Sequence, residues 1–286
     1  MRHFSISLLA LIGLGGFVYS EEVVYNNLIN TRDEIGKEWI LKEKPDCKPE
    51  IVASPKGGRH FLGKVPQGEQ KLVLNKLPKH EFVRIEFDMI TVGSWDGSHD
   101  DWGPDIWSFR VDDGLPLVES SFCNNAGDLK QSFPDFRYSK RKENKNWTGA
   151  KETSSLGYVW VVDDRKVKAD AVYHFDFIVP HNKVTMALKF RSDFRDLNTP
   201  EPDADQWYGL DNIKVTCLDE HPELTSEEAD KAVTNLSSED AKERYSARVK
   251  LIASPQMTVK TIRSRIVEQD NAELNDLVKK LGSESF

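Results

Sequence analysis

Residues 94 to 105 read Ser-Trp-Asp-Gly-Ser-His-Asp-Asp-Trp-Gly-Pro-Asp. Asp96, Asp100, Asp101 and Asp105 put four carboxylates within ten residues of a glycine-bearing loop, and calcium takes about six to eight such oxygens. The spacing Asp96-x-Ser98-x-Asp100 imitates the start of an EF-hand loop. Asp101, however, stands where that loop needs glycine, and no closing glutamate or flanking helix follows. The expectation is a looser calcium loop with these four aspartates as ligands; turn-forming aspartates in a solvated loop are the alternative. Trp95 and Trp102 lie in the same stretch. An indole stacks on the C–H face of a sugar while neighbouring acids accept its hydroxyl protons, so Trp95, Asp96, His99, Trp102 and Asp105 are candidate ligand-binding residues. Aromatics capping a small core are the alternative.

Catalysis is the weaker reading. A glycoside hydrolase needs two carboxyl groups flanking the scissile bond. They normally project from strands lining a cleft, whereas these acids share one loop. The seven histidines show no zinc spacing, Ser154-Ser155 lacks a nucleophile-elbow context, and no glycine loop is built to cradle phosphate. No catalytic residue is assigned.

The elements that must hold this loop are strands. Lys71–Leu74, Phe82–Met89, Trp107–Asp112, Tyr173–Val179, Val184–Phe190 and Leu210–Val215 alternate apolar and polar residues or are short apolar runs. Asp112-Asp113-Gly114 reads as a turn. With no helical period between them, residues 21–219 are expected to form one mainly β domain, an antiparallel jelly-roll sandwich. From residue 220 to 286 the period becomes helical. Thr225-Ser-Glu-Glu228 is a capping box, and Ser237-Ser-Glu-Asp240 is expected to open the next helix in the same way. Ala241, Tyr245, Val249 and Ile252 form one stripe. Ser254-Pro255 combines a cap with proline at the first helical position, and Asp270 is expected to cap a fourth helix. Leu236-Ser-Ser-Glu-Asp240 recurs as Leu281-Gly-Ser-Glu-Ser285, 45 residues later, a period suited to HEAT-like helix pairs. One repeat cannot cover its own face, so the tail is expected to pack on the sandwich or on another chain.

Arg2-His3, the apolar run Phe4–Val18 and the small residues before Glu21 have the layout of a secretory signal peptide over residues 1–20. No stretch reaches the ~20 apolar residues that a membrane span needs. A secreted, periplasmic or cell-surface location follows. The net charge of -8 argues against nucleic acid, which requires a basic surface. Three cysteines allow one bridge at most. Cys47 with Cys217 is the preferred pair, because they flank the sandwich and first and last strands often lie side by side; three buried thiols are the alternative.

Six segments occur in a fixed order: His60-Phe-Leu-Gly-Lys64, Gly93-Ser-Trp-Asp-Gly97, Gly103-Pro-Asp-Ile-Trp-Ser108, Gln131-Ser-Phe-Pro134, Leu156-Gly-Tyr158 and Trp207-Tyr-Gly-Leu-Asp-Asn-Ile213. This ordered set resembles a jelly-roll, lectin-like module of secreted proteins from Planctomycetes-type bacteria, over roughly residues 22–217, and the tail resembles their HEAT-like helical segments. The resemblance implies no catalysis. It does imply a calcium between an acidic first strand and the closing strand. Here the first strand offers only Asn26, Asn27 and Asn30, leaving Asp211 as the acid placed for it. The resulting expectation is a non-enzymatic binding module for carbohydrate or an acidic polymer. Assembly through a protein partner at residues 224–286 is the first alternative, and a sandwich-fold glycoside hydrolase or lyase the second.

Overall fold

The computed structural model describes residues 21–266 apart from 28–34, 43–47, 66, 125–126, 138–142, 163, 195–205 and 222. The expected signal peptide, Asn30, Cys47, Asp270 and the fourth helix lie outside the described residues. Strands are numbered along the chain, and every pairing is antiparallel. The larger sheet runs β11 (Glu152–Thr153), β14 (Asp170–Pro180), β6 (Phe82–Gly93), β16 (Gln206–Leu218), β4 (His60–Val65) and β3 (Glu50–Ala53), with β1 (Glu21–Asn27) also paired to β16. The smaller sheet runs β2 (Trp39–Ile40), β5 (Gly68–Asn75), β15 (Thr185–Asp193), β7 (Ile106–Val111) and β8 (Val118–Ser121). Two short ribbons, β9 (Lys130–Gln131) with β10 (Asn144–Lys145) and β12 (Val159–Val162) with β13 (Arg165–Lys168), complete the β structure.

The alternation read from the sequence is what packs the sheets. On β14, Tyr173, Phe175, Phe177 and Val179 point inward while His174, Asp176 and Ile178 do not. Phe87 of the larger sheet lies 4.8 Å from Phe109 and 5.4 Å from Phe190 of the smaller one, ring centre to ring centre. Trp107 stacks on Phe175 at 5.5 Å. Such edge and offset contacts each add about 0.5–1.5 kcal/mol to the burial of the rings. The result is a mainly β, two-layered sandwich.

The first and last strands do lie side by side, yet Glu22 opposes Cys217 across them. Cys217 is a buried free cysteine, and Cys47, its expected partner, lies outside the described residues. Burial, with Glu22 and Asp219 nearby, pushes its thiol up to about 12, so it packs as a small apolar side chain.

Helices α1 (Ser226–Asn235), α2 (Ala241–Ala253) and α3 (Pro255–Ile266) follow. Thr225 and Glu228 form the expected capping box. At α2 the cap is Asp240, which accepts the Lys242 N–H at 2.7 Å, not Ser237. Pro255 opens α3 as expected, while the Ser254 hydroxyl accepts the Leu224 N–H at 3.1 Å instead. Tyr245, Val249 and Ile252 pack on the sandwich core, and Ala247 and Leu251 face α1 and α3. The tail therefore covers its stripe with its own sandwich. Arg244 locks this contact: its Nε and Nη2 donate to the Asp135 carboxylate at 2.9 and 2.6 Å.

Candidate functional site

The acidic loop joins β6 to β7. Gly97 has φ +68°, and a β-carbon there would meet the Lys130 carbonyl oxygen at 2.1 Å, so the turn requires glycine. Asp105 is fully buried and closes the loop from inside. Its Oδ2 accepts the Asp96 N–H at 2.5 Å and its Oδ1 accepts Gln206 Nε2 at 3.4 Å. Trp95 is also fully buried; its indole N–H is shared by the carbonyls of Val92 and Trp207, both at 3.1 Å. Both side chains are buried in the end of the sandwich rather than presented to solvent. Both were read from their place in a polar loop, which does not show that the loop folds back over the sandwich end.

What the loop presents outward is Trp102, 45% exposed, with the exposed Asp100 and Asp101 beside it. The Trp102 ring lies on His99 at 4.5 Å with 11° between planes. His99 Nδ1 faces the backbone N–H groups of Asp101 and Trp102 at 3.2 and 3.3 Å. One face of the indole is thus covered by His99, while nearly half of the residue remains exposed. Among the described residues no group of three or more His, Cys, Asp or Glu side chains could hold a metal ion. Asp105 is turned inward, and Asp211 belongs to another part of the molecule.

A second polar site lies on the outer face of the larger sheet. Asp88 on β6 and Asp211 on β16 are direct cross-strand partners, each 1% exposed. Asn212 follows with φ 52°, a left-handed conformation that asparagine tolerates, and the register shifts between Asp211 and Lys214 as a bulge. Asn212 Nδ2 donates to Asp88 Oδ2 at 2.9 Å, and His174 Nδ1 lies 2.8 Å from Asp88 Oδ1. Arg59 bridges the acids: Nε to Asp211 at 2.8 Å, Nη2 to Asp88 at 2.6 Å and Nη1 to Glu152 at 3.3 Å. The cleft around them, about 380 Å³, is lined also by Ser54, Lys151 and Ser155.

The two aspartates are pushed in opposite directions. Burial raises Asp88, but hydrogen bonds from Asn212 and His174 and the charges of Lys151 and Arg59 outweigh it, leaving its carboxyl below the usual range. Burial dominates at Asp211 and holds it above that range against Arg59. Opposed shifts in one cleft are how acid and base roles are divided in some active sites, although structural ion-pair networks do the same. Here one guanidinium spans both acids. Its Nε pairs with Asp211, the acid that the resemblance placed near the closing strand.

Sequence reasoning named Asp211 but missed Arg59, Asp88, Glu152 and His174. A signal was present: Arg59 directly precedes His60-Phe-Leu-Gly, and Leu156 and Asp211-Asn212 belong to two more of the six ordered segments. Two of the segments, and the residue that precedes a third, thus meet at this cleft.

No family model matches the chain, and no curated protein matches it. Among solved structures, a family GH115 4-O-methyl-alpha-glucuronidase with specificity for decorated arabinogalactans gives a TM-score of 0.29 at 12% identity, covering 65% of this chain and 18% of that one. The chain therefore spans less than a fifth of that enzyme's length, and a likeness this distant assigns neither fold nor activity.

Proposed function

We propose that the protein is a secreted, non-enzymatic binding module of the jelly-roll, lectin-like type, and that it takes carbohydrate on the outward face of Trp102. One observation carries this: Trp102 is the one aromatic ring among the large hydrophobic side chains exposed in the described residues, and it is held flat by His99 rather than left to rotate. An aromatic platform ordered before binding loses little entropy when a sugar stacks on it. Asp100 and Asp101 flank it as acceptors for hydroxyl groups. Binding across a glycan array, followed by calorimetry, tests the reading. Trp102→Ala should weaken every glycan bound by about tenfold or more, near 1.4 kcal/mol. A protein that binds no glycan class, or a Trp102→Ala variant that binds as the wild type does, would overturn it.

A second reading, hydrolysis, draws on the cleft, because Asp88 and Asp211 project from neighbouring strands as a catalytic pair would. Against it, Arg59 occupies both acids. Release of reducing ends from a polysaccharide panel, abolished by Asp88→Asn, would favour it. Assembly through residues 224–286 draws less support, since the apolar stripe of α2 lies against the sandwich.

A further inference from the structure

We propose that a recess on the outer face of the smaller sheet binds the anionic group, carboxylate or sulfate, of an acidic saccharide. The inference rests on the carbohydrate reading for the sugar and names the class of sugar; the anion is argued from the recess alone.

The register builds the recess. On β7, Ile106, Ser108 and Arg110 share one face. Ser108 stands directly between Arg191 of β15 and Glu119 of β8. A two-atom side chain flanked by two long ones leaves a hole of about 200 Å³, which Asp193 and Arg137 also line. The Ser108 hydroxyl has no hydrogen-bond partner among the described residues, so a donor waits on the floor.

The charges around the hole are unevenly matched. Arg137 is held by Glu119 at 2.9 Å. Arg191 reaches Asp193 only at 3.9 Å, with both side chains about half exposed, at 48% and 52%, a geometry that contributes little. Arg110 has no acidic partner among the described residues. Directly across the strand pair it faces Lys189, another cation, which Asp113 takes at 2.6 Å. Like charges directly opposite each other on a sheet are unfavourable. In a chain of net charge -8, an arginine left beside a lysine and a second loosely held arginine is a place where an anion relieves a repulsion. The planar guanidinium fork matches a carboxylate or sulfate through paired hydrogen bonds. The strand lining the recess is also the one into which the Trp102 loop runs.

Calorimetry with three oligosaccharides of equal length distinguishes the outcomes: an uncharged galactan, an oligogalacturonate and a sulfated galactan. The charged ligands should bind about tenfold tighter than the uncharged one, with the gain shrinking as salt rises. Arg110→Ala should abolish that gain while leaving the uncharged ligand unaffected, and Arg110→Lys should restore part of it. The two charged arms separate a carboxylate site from a sulfate site. Equal affinity for charged and uncharged ligands, or a gain that survives Arg110→Ala, would overturn the recess while the carbohydrate reading stood. A Trp102→Ala variant that keeps full affinity for all three would instead remove the platform and leave the recess. Thermal unfolding of Arg110→Ala at or above the wild-type midpoint shows that the variant is folded.

Discussion

Removing Arg244 should unfasten the helical tail, and the size of the effect can be worked from its bonds. The guanidinium donates all five of its N–H groups: two to Asp135, one each to the carbonyls of Ser238 and Glu239, and one to Asn144 Oδ1. Its side chain and that of Asp135 are 3% and 0% exposed. Breaking a buried pair by deleting one partner costs about 3–5 kcal/mol, because the other charge is stranded. Arg248 lies 3.7 Å from Asp135 and partly compensates, so Arg244→Ala should cost about 3 kcal/mol. Replacing both partners with apolar residues of similar size, as in Arg244→Met with Asp135→Leu, should cost less than the two single changes together. Urea unfolding followed by far-UV circular dichroism and tryptophan fluorescence measures each corner of the cycle. The two probes should move together, since Tyr245 packs 5.6 Å from Phe133 across the same contact. A loss under about 1 kcal/mol for Arg244→Ala, or strictly additive single changes, would refute the reasoning.

Acid should weaken the fold through Asp112. Burial raises its carboxyl, but the His181 ring nitrogen 3.5 Å away and the hydrogen bonds from the Ala187 N–H and Lys183 outweigh it and lower the carboxyl from 3.8 to about 2. A lowered value stabilises the folded state above the ordinary pKa, and that stability is lost as pH falls through about 4 to 2. Discounted for solvent screening, it should amount to about 1 kcal/mol, and the difference between wild type and Asp112→Asn in urea unfolding should shrink over that window. Trp95→Ala, in the core, should cost about 3–5 kcal/mol, whereas Trp102→Ala should stay within about 1 kcal/mol; the reverse order in thermal unfolding would contradict the geometry. Arg59→Ala strands Asp88 and Asp211 and should lower stability by about 3 kcal/mol or more, while Arg110→Ala should leave it unchanged or raise it by a few tenths of a kcal/mol.

How much of this was legible in the sequence depended on range. The inward aromatics of β14 and the capping box at Thr225 are local patterns, and period and spacing disclose them. The arrangement of the acidic loop is not local. Asp105 and Trp95 are buried because Gln206 and the Trp207 carbonyl, about a hundred residues away, meet them there. The Arg59 cluster joins residues separated by 29 to 152 positions, and nothing in the run around Asp88 marks it as other than the polar half of a strand. Beyond the ordered segments, Asn212 left a trace of its own, as an asparagine inside an apolar alternation where the register shifts as a bulge. Around Cys217 the pairing of first and last strands was anticipated from the sequence, and the structure adds that Glu22 lies across from it.

The contrast between the two charged sites bears on which of them meets a ligand. Buried charge is tolerated when each group is satisfied. In the cleft Arg59 gives an N–H to each of three acids, and Asp88 accepts from Asn212 and lies against His174 as well. That network answers its own demands, and a ligand entering it would have to displace bonds already made. The recess on the smaller sheet does not. Arg110 faces a lysine, Arg191 is held at 3.9 Å, and the Ser108 hydroxyl is unengaged. Local rules broken without an internal remedy are expected where something outside the chain supplies it. Trp102 follows the same logic, an indole left nearly half exposed and stacked on a histidine. Both exceptions lie on the loop between β6 and β7 or on the strand it leads into, whereas the self-satisfied network sits on the larger sheet. The smaller sheet and its entering loop are therefore where binding should be sought.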